Sequence, residues 1–211
     1  MNIIYRLSLV SALVLTVASC SSITSLPTTG RATANSCNVT TTLVTTPPTN
    51  EEHIFCGEVD LTAKPPAAKG FHSAPNGATP STIALKANST ITLTATPSIS
   101  LSLGPDHSYT LKDFEVISGT TKATKNISSM FPNTCTADQV LKSIEYAASQ
   151  TAIKSNKCKS PAWAECGPSA PTPIPPTDVG KYCLAGNKVF SIGTKIEKKP
   201  TTKINTAFPA E

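Results

Sequence analysis

The stretch TCTADQVLKSIEYAASQ, residues 134–150, decides the class of fold. Thr136-Ala137-Asp138-Gln139 has the form of a capping box. The threonine hydroxyl can accept the amide proton three residues on, while the glutamine amide reaches back to the threonine N–H. Val140, Leu141, Ile144, Ala147 and Ala148 then recur at the spacing of one helical face. A helix is expected from here to about Gln150, and the strand-like segments do not alternate with it. Helix and strands segregated in this way suggest an α+β fold with antiparallel sheets.

Upstream, STIALKANSTITLTATPSISLSL (residues 81–103) is dense in Thr, Ser and Ile, and its apolar residues alternate at Ile91, Leu93 and Ala95 and again at Ile99, Leu101 and Leu103. That is the pattern of a half-buried strand, broken near Pro97. Tyr109 to Ile117 alternates as well, with Lys112 in phase with Phe114 and Val116 and therefore expected on the buried side. Downstream, SPAWAECGPSAPTPIPPTD (residues 160–178) holds six prolines, which exclude a helix or a central strand. Short closing strands are expected at Lys181–Leu184, Val189–Ile192 and Lys203–Phe208.

The start of the chain reads as targeting. Arg6 supplies a positive n-region, and Leu7 to Val17 form an apolar run too short to span a bilayer. It ends in Val17-Ala18-Ser19-Cys20, which resembles a bacterial lipobox, with Cys20 as the lipidated residue; an ordinary signal peptide cut near Ala18-Ser19 is the alternative. On this reading residues 1–19 are a signal peptide. Residues 20–36, rich in Ser and Thr, are a flexible tether, and residues 37–211 are the folded domain. Loss of Arg6 takes the net charge from +5 to +4, which permits a polyanionic partner without demanding one.

Apart from Cys20 there are six cysteines: Cys37, Cys56, Cys135, Cys158, Cys166 and Cys183. An even number in an exported chain reads as three disulfides, whose pairing the sequence leaves open. No CxxC pair and no histidine at ligand spacing supports a zinc site, so no metal ligands are assigned.

Two of the three histidines, His53 in EEHIFCGE and His72 in KGFHSAPNG, carry the functional reading. Imidazoles titrate near neutrality, so a pair flanking one bond can supply a base and an acid together. For RNA the nucleophile is built in: one histidine takes the proton of the ribose 2′-hydroxyl and the other protonates the leaving 5′-oxygen. A lysine beside them offsets charge on the phosphorus oxygens.

The order of the short motifs sharpens this. His53-Ile54-Phe55-Cys56-Gly57-Glu58 is followed by Gly70-Phe71-His72-Ser73, then Ser129-Met130-Phe131-Pro132 leading into the helix, Gly193-Thr194-Lys195-Ile196, and finally Thr206-Ala207-Phe208-Pro209. This succession resembles the bacterial EndoU endoribonucleases. The resemblance implies a disulfide-stabilised EndoU-like domain that cuts single-stranded RNA and leaves 2′,3′-cyclic phosphate ends. It implies His53 as the acid and His72 as the base, with the reverse assignment as the alternative, and a strand lysine, best matched by Lys112, with Lys122 and Lys125 as alternatives. Thr206 and Phe208 match residues that hold the nucleotide before the cut, although relatives carry tyrosine where Phe208 stands. Ser73 is expected to hydrogen-bond the imidazole or the phosphate. No cofactor is required, while some relatives respond to manganese.

The implied partners are RNA, a membrane reached through the lipid anchor, and an inhibitor (immunity) protein that the sequence does not identify. The implied location is the cell envelope, or outside the cell as a secreted toxin. A catalytically inactive envelope protein on the same fold is the rival reading.

Overall fold

The computed structural model describes residues 37–93, 107–153 and 156–210. Its chain order is a single π-helical turn (Glu52–Cys56), β1 (Glu58–Asp60), β2 (Ala67–Lys69), β3 (Ile83–Ala84), β4 (Thr90–Leu93), β5 (Tyr109–Ser118), β6 (Thr121–Met130), α1 (Ala137–Ile153), β7 (Glu165–Pro168), β8 (Ser191–Glu197) and β9 (Lys203–Ala210), with short 3-10 turns at Pro75–Gly77 and Pro176–Asp178. The fold is α+β and every strand pairing is antiparallel. β1 and β2 form a ribbon. In a second sheet β5 carries β3 and β4 along one edge and β6 along the other, and the third sheet has the order β7-β8-β9. Among the described residues no helix is long and apolar enough to cross a membrane.

The capping box forms as read: the Thr136 amide donates to Gln139 Oε1 at 2.8 Å and the Gln139 amide to Thr136 Oγ1 at 3.2 Å. The helix continues to Ile153, one turn past the expected end. Its apolar face, with Val140, Leu141, Ile144, Ala147 and Ala148, packs with Ile192, Ile204 and Ala207 of the third sheet, and Ile54, Phe55 and Phe131 complete this core. Phe71, Tyr109, Leu111, Phe114, Val116 and Met130 form a second core on the β5–β6 sheet. Removing side chains of this size from water, at roughly 2 kcal/mol each, is what holds the sheets and helix in register.

Several local expectations change. Lys181–Leu184 is not a strand; it lies in a turn, with Cys183 buried in the first core. The Pro-rich segment does contribute a strand, β7. Proline is tolerated there because β7 is an edge of its sheet and Pro168 is its last residue. Ile99, Leu101, Leu103 and the break at Pro97 lie outside the described residues, as does Cys20.

The alternation in β5 reverses midway. Tyr109 and Leu111 are buried, then Phe114 and Val116. Asp113 between them has φ 57°, a left-handed conformation that turns the pleat over without shifting the register to β6. Lys112, on the near side of the reversal, is thereby exposed. Pairing Cys37–Cys56, Cys135–Cys183 and Cys158–Cys166 accounts for all six cysteines of the folded region.

Candidate active site

His53 sits in the π-helical turn between the core residues Ile54 and Phe55 and Glu52. The end of a helical turn leaves backbone carbonyls without partners inside it. Here the next segment supplies them: the amide of Phe71 donates to His53 O at 2.7 Å, and those of His72 and Ser73 donate to Ile54 O at 2.7 and 3.1 Å. On its other side the His72 carbonyl accepts from the Phe131 amide at 2.7 Å. His72 is thus stitched between the turn that bears His53 and the residue following β6.

Gly70 makes this approach possible. Its φ is 68°, and a Cβ there would lie 2.2 Å from the His53 carbonyl oxygen. Phe71 is also left-handed, at φ 57°. Such a conformation costs a bulky residue on the order of 1–3 kcal/mol and persists only where its surroundings over-determine it. Its ring is sealed in the second core, and Ser128 Oγ donates to its carbonyl at 2.6 Å.

The two imidazoles face one another with ring centroids 5.7 Å apart and planes inclined by 35°. Each residue is 8 % exposed. Their surroundings differ in sign. His53 Nδ1 lies 2.8 Å from Glu58 Oε1. With the carboxylate accepting, Nδ1 carries a proton and Nε2 is the nitrogen left for chemistry. The hydrogen bond from His53 holds Glu58 below the usual carboxylate range, so an ionised counter-charge stands beside the ring.

His72 Nδ1 lies 2.9 Å from the Ser129 carbonyl and 3.2 Å from Ser128 Oγ. A carbonyl only accepts, so here too Nδ1 is the protonated nitrogen and Nε2 keeps its lone pair. Burial first, then the positive charges of Lys125 and His53, push the His72 pKa well below the ordinary 6.5. His72 is therefore neutral at pH 7.

Lys125, on β6, donates to the Gly70 carbonyl and, at 3.1 Å, to Ser128 Oγ. Burial lowers its pKa to about 8. It faces inward in phase with Ala123, whereas Lys112 and Lys122 are exposed. The expected lysine at Lys112 is thus not brought to the histidines. The second alternative, Lys125, is, through the reversal at Asp113 that the alternation alone does not reveal.

Phe208 closes the site, its ring 5.6 Å from that of His72 and inclined by 38°. A bulge in β9 decides which residues point here. Consecutive residues Lys195 and Ile196 oppose Thr206 and Ile204, leaving Asn205 extra. Ile204 and Ala207 consequently enter the helix-side core, while Thr206 and Phe208 share the opposite face. The extra residue has a task as well: Asn205 Oδ1 accepts from Asn50 Nδ2 at 3.2 Å, and Asn50 Oδ1 accepts from the His53 amide at 3.3 Å. The motifs give no sign of the contacts made by Asn50, Asn205, Ser128 and the Ser129 carbonyl, because no spacing rule connects residues so far apart.

Ser73 departs from expectation. It is 0 % exposed, its hydroxyl makes no hydrogen bond, and it is Ser128 that reaches the imidazole. Among the described residues no three His, Cys, Asp or Glu side chains gather where they would hold a metal ion.

A family model described as bacterial EndoU nuclease matches residues 48–170. The chain belongs to that family. Membership makes the EndoU domain a nuclease with RNA as its substrate. The match takes in His53, His72, Lys125, Ser128 and α1, while β8 and β9, with Thr206 and Phe208, lie beyond it. No curated protein and no solved structure matches the chain.

Proposed function

We propose that this EndoU domain cuts single-stranded RNA by attack of the ribose 2′-hydroxyl on the adjacent phosphorus. Neutral His72 Nε2 removes the hydroxyl proton. The new O–P bond forms as the P–O5′ bond breaks, and His53 Nε2–H delivers a proton to the departing 5′-oxygen. The products are a 2′,3′-cyclic phosphate and a 5′-hydroxyl. Lys125 supplies positive charge for the phosphoryl oxygens that become more negative at the pentacoordinate stage. Thr206 and Phe208 hold the nucleotide before the cut, Phe208 by its ring face.

The single observation carrying this reading is the pair of imidazoles 5.7 Å apart in environments of opposite character, one beside a carboxylate and one kept neutral by burial and a neighbouring ammonium. Each step uses only the chain's own side chains.

Three disulfides suit an oxidising compartment outside the cytoplasm. Cleavage of residues 1–19, lipidation of Cys20 and a tether over residues 20–36 would then place the domain, residues 37–211, at the cell envelope. Delivery to another cell would leave the chemistry the same. An inhibitor protein that shields the producer belongs to either setting.

One observation favours the rival, an inactive RNA-binding envelope protein: phenylalanine at position 208, without the phenolic hydroxyl of relatives. The test is incubation of the mature protein with single-stranded RNA in EDTA and, separately, in manganese. Cleavage to cyclic phosphate ends, lost in His72→Ala with the melting temperature retained, is the expected result. Intact RNA in both buffers would leave the inactive reading in place.

A further inference from the structure

The ring row does not stop at Phe208. Trp163 meets that ring edge to face, with centroids 5.7 Å apart. The indole is 52 % exposed, an unusual position for so large an apolar side chain. It is carried on the Pro-rich loop that the Cys158–Cys166 disulfide closes, and Cys158, Ala164 and Cys166 pack with Phe208 in a small core of their own. Gly193, opposite Phe208 on β8, gives that ring its room: a Cβ there would stand 2.8 Å from Phe208 Cε2. The loop is therefore clamped at its base while it presents the indole to solvent.

Beside the indole lies a groove of about 500 Å³, with Lys157, Lys195 and Lys198 among its walls and Glu165 as their only acidic counterpart in the lining. Lys157 is engaged by Glu165 at 3.0 Å. The Lys195 ammonium stands 5.8 Å from the Trp163 ring centroid. Lys195 opposes Thr206 in the sheet as Gly193 opposes Phe208, so this cation shares a face with the nucleotide-holding residues. An exposed aromatic face next to excess positive charge is what binds single strands irrespective of sequence: bases stack on the ring while ammonium groups track the backbone.

We propose that Trp163 and Lys195 form a subsite for the nucleotide flanking the one held at Phe208. Trp163 stacks on its base and Lys195 holds the adjoining phosphate, so the protein is built for extended single strands in preference to dinucleotides. This rests on the RNA-nuclease reading of the two histidines.

The chain has one tryptophan, so its fluorescence reports this subsite alone. Titration of the protein with a single-stranded 2′-O-methyl oligonucleotide, which lacks the nucleophile, should quench that emission saturably, and Lys195→Ala should weaken the apparent affinity. In parallel, the ratio of kcat/KM for a ten-nucleotide RNA to that for a dinucleotide should fall about tenfold in Trp163→Ala and recover in Trp163→Phe. Equal losses on both substrates would overturn the subsite and assign Trp163 to support of Phe208. Cleavage of long RNA without any quenching would also overturn it while sparing the nuclease reading. Quenching without cleavage in any buffer would uphold the subsite and sink the nuclease.

Discussion

At the residue scale, the two histidines differ in what their Nδ1 atoms touch, and the proposed mechanism assigns them different roles on that ground. Glu58 gives one a carboxylate; Ser129 gives the other a carbonyl, with Lys125 close by. The pH consequences follow with a definite sign. If His72 is the base, it works unprotonated, so activity should fall as the pH drops through its depressed pKa, with an acid limb below 6.5. Lys125→Met removes one of the charges that depress it. The limb should then move to higher pH, and kcat should fall by about 10²–10³-fold. Lys112→Ala should change neither; a pH–rate profile of the three proteins checks this. The same depressed pKa couples to folding: the unfolded chain protonates its histidine first. The stability His72 contributes is therefore fully present above pH 6.5 and is lost as the pH falls from there through its folded value.

At the scale of elements, the site depends on a seam between the π-helical turn and residues 70–73. Gly70→Ala puts a methyl against the His53 carbonyl and forces alanine to φ 68°. The expected outcome is destabilisation by more than about 2 kcal/mol, with cleavage lost even in whatever fraction stays folded; denaturant unfolding and single-turnover cleavage measure the two effects. Local rules make some elements legible in the sequence. The capping box placed α1, the alternation placed β5, and the ordered short motifs pointed to both histidines. What escaped it depends on single backbone events. One left-handed aspartate turns β5 over and exposes Lys112, and one extra residue in β9 puts Ile204 on the face opposite Thr206. Asp113 and Asn205 are residue types depleted in strands, but the apolar periodicity alone does not say that either one breaks the alternation.

At the scale of the whole molecule, the disulfides tie the site to distant parts of the chain. Cys37–Cys56 anchors the residue that ends the π-helical turn and closes a loop across 19 positions. Chain-entropy arguments give such a loop about 3 kcal/mol of stabilisation. Cys37→Ser combined with Cys56→Ser should lower the thermal midpoint, with RNA cleavage retained below it; calorimetry and an activity assay at a low temperature check this. β1, β2, β6 and β7 are not among the strands expected from pattern, and the placing of Lys125 beside the two histidines is visible only in the tertiary structure.

The bulge in β9 also bears on how far a change in that strand would reach. Asn205 steadies the turn carrying His53 through Asn50, and the Phe208 ring packs beside His72, so one strand supports both imidazole-bearing segments. Loss of β9 would therefore disturb the surroundings of both histidines at once, although that strand bears neither of them.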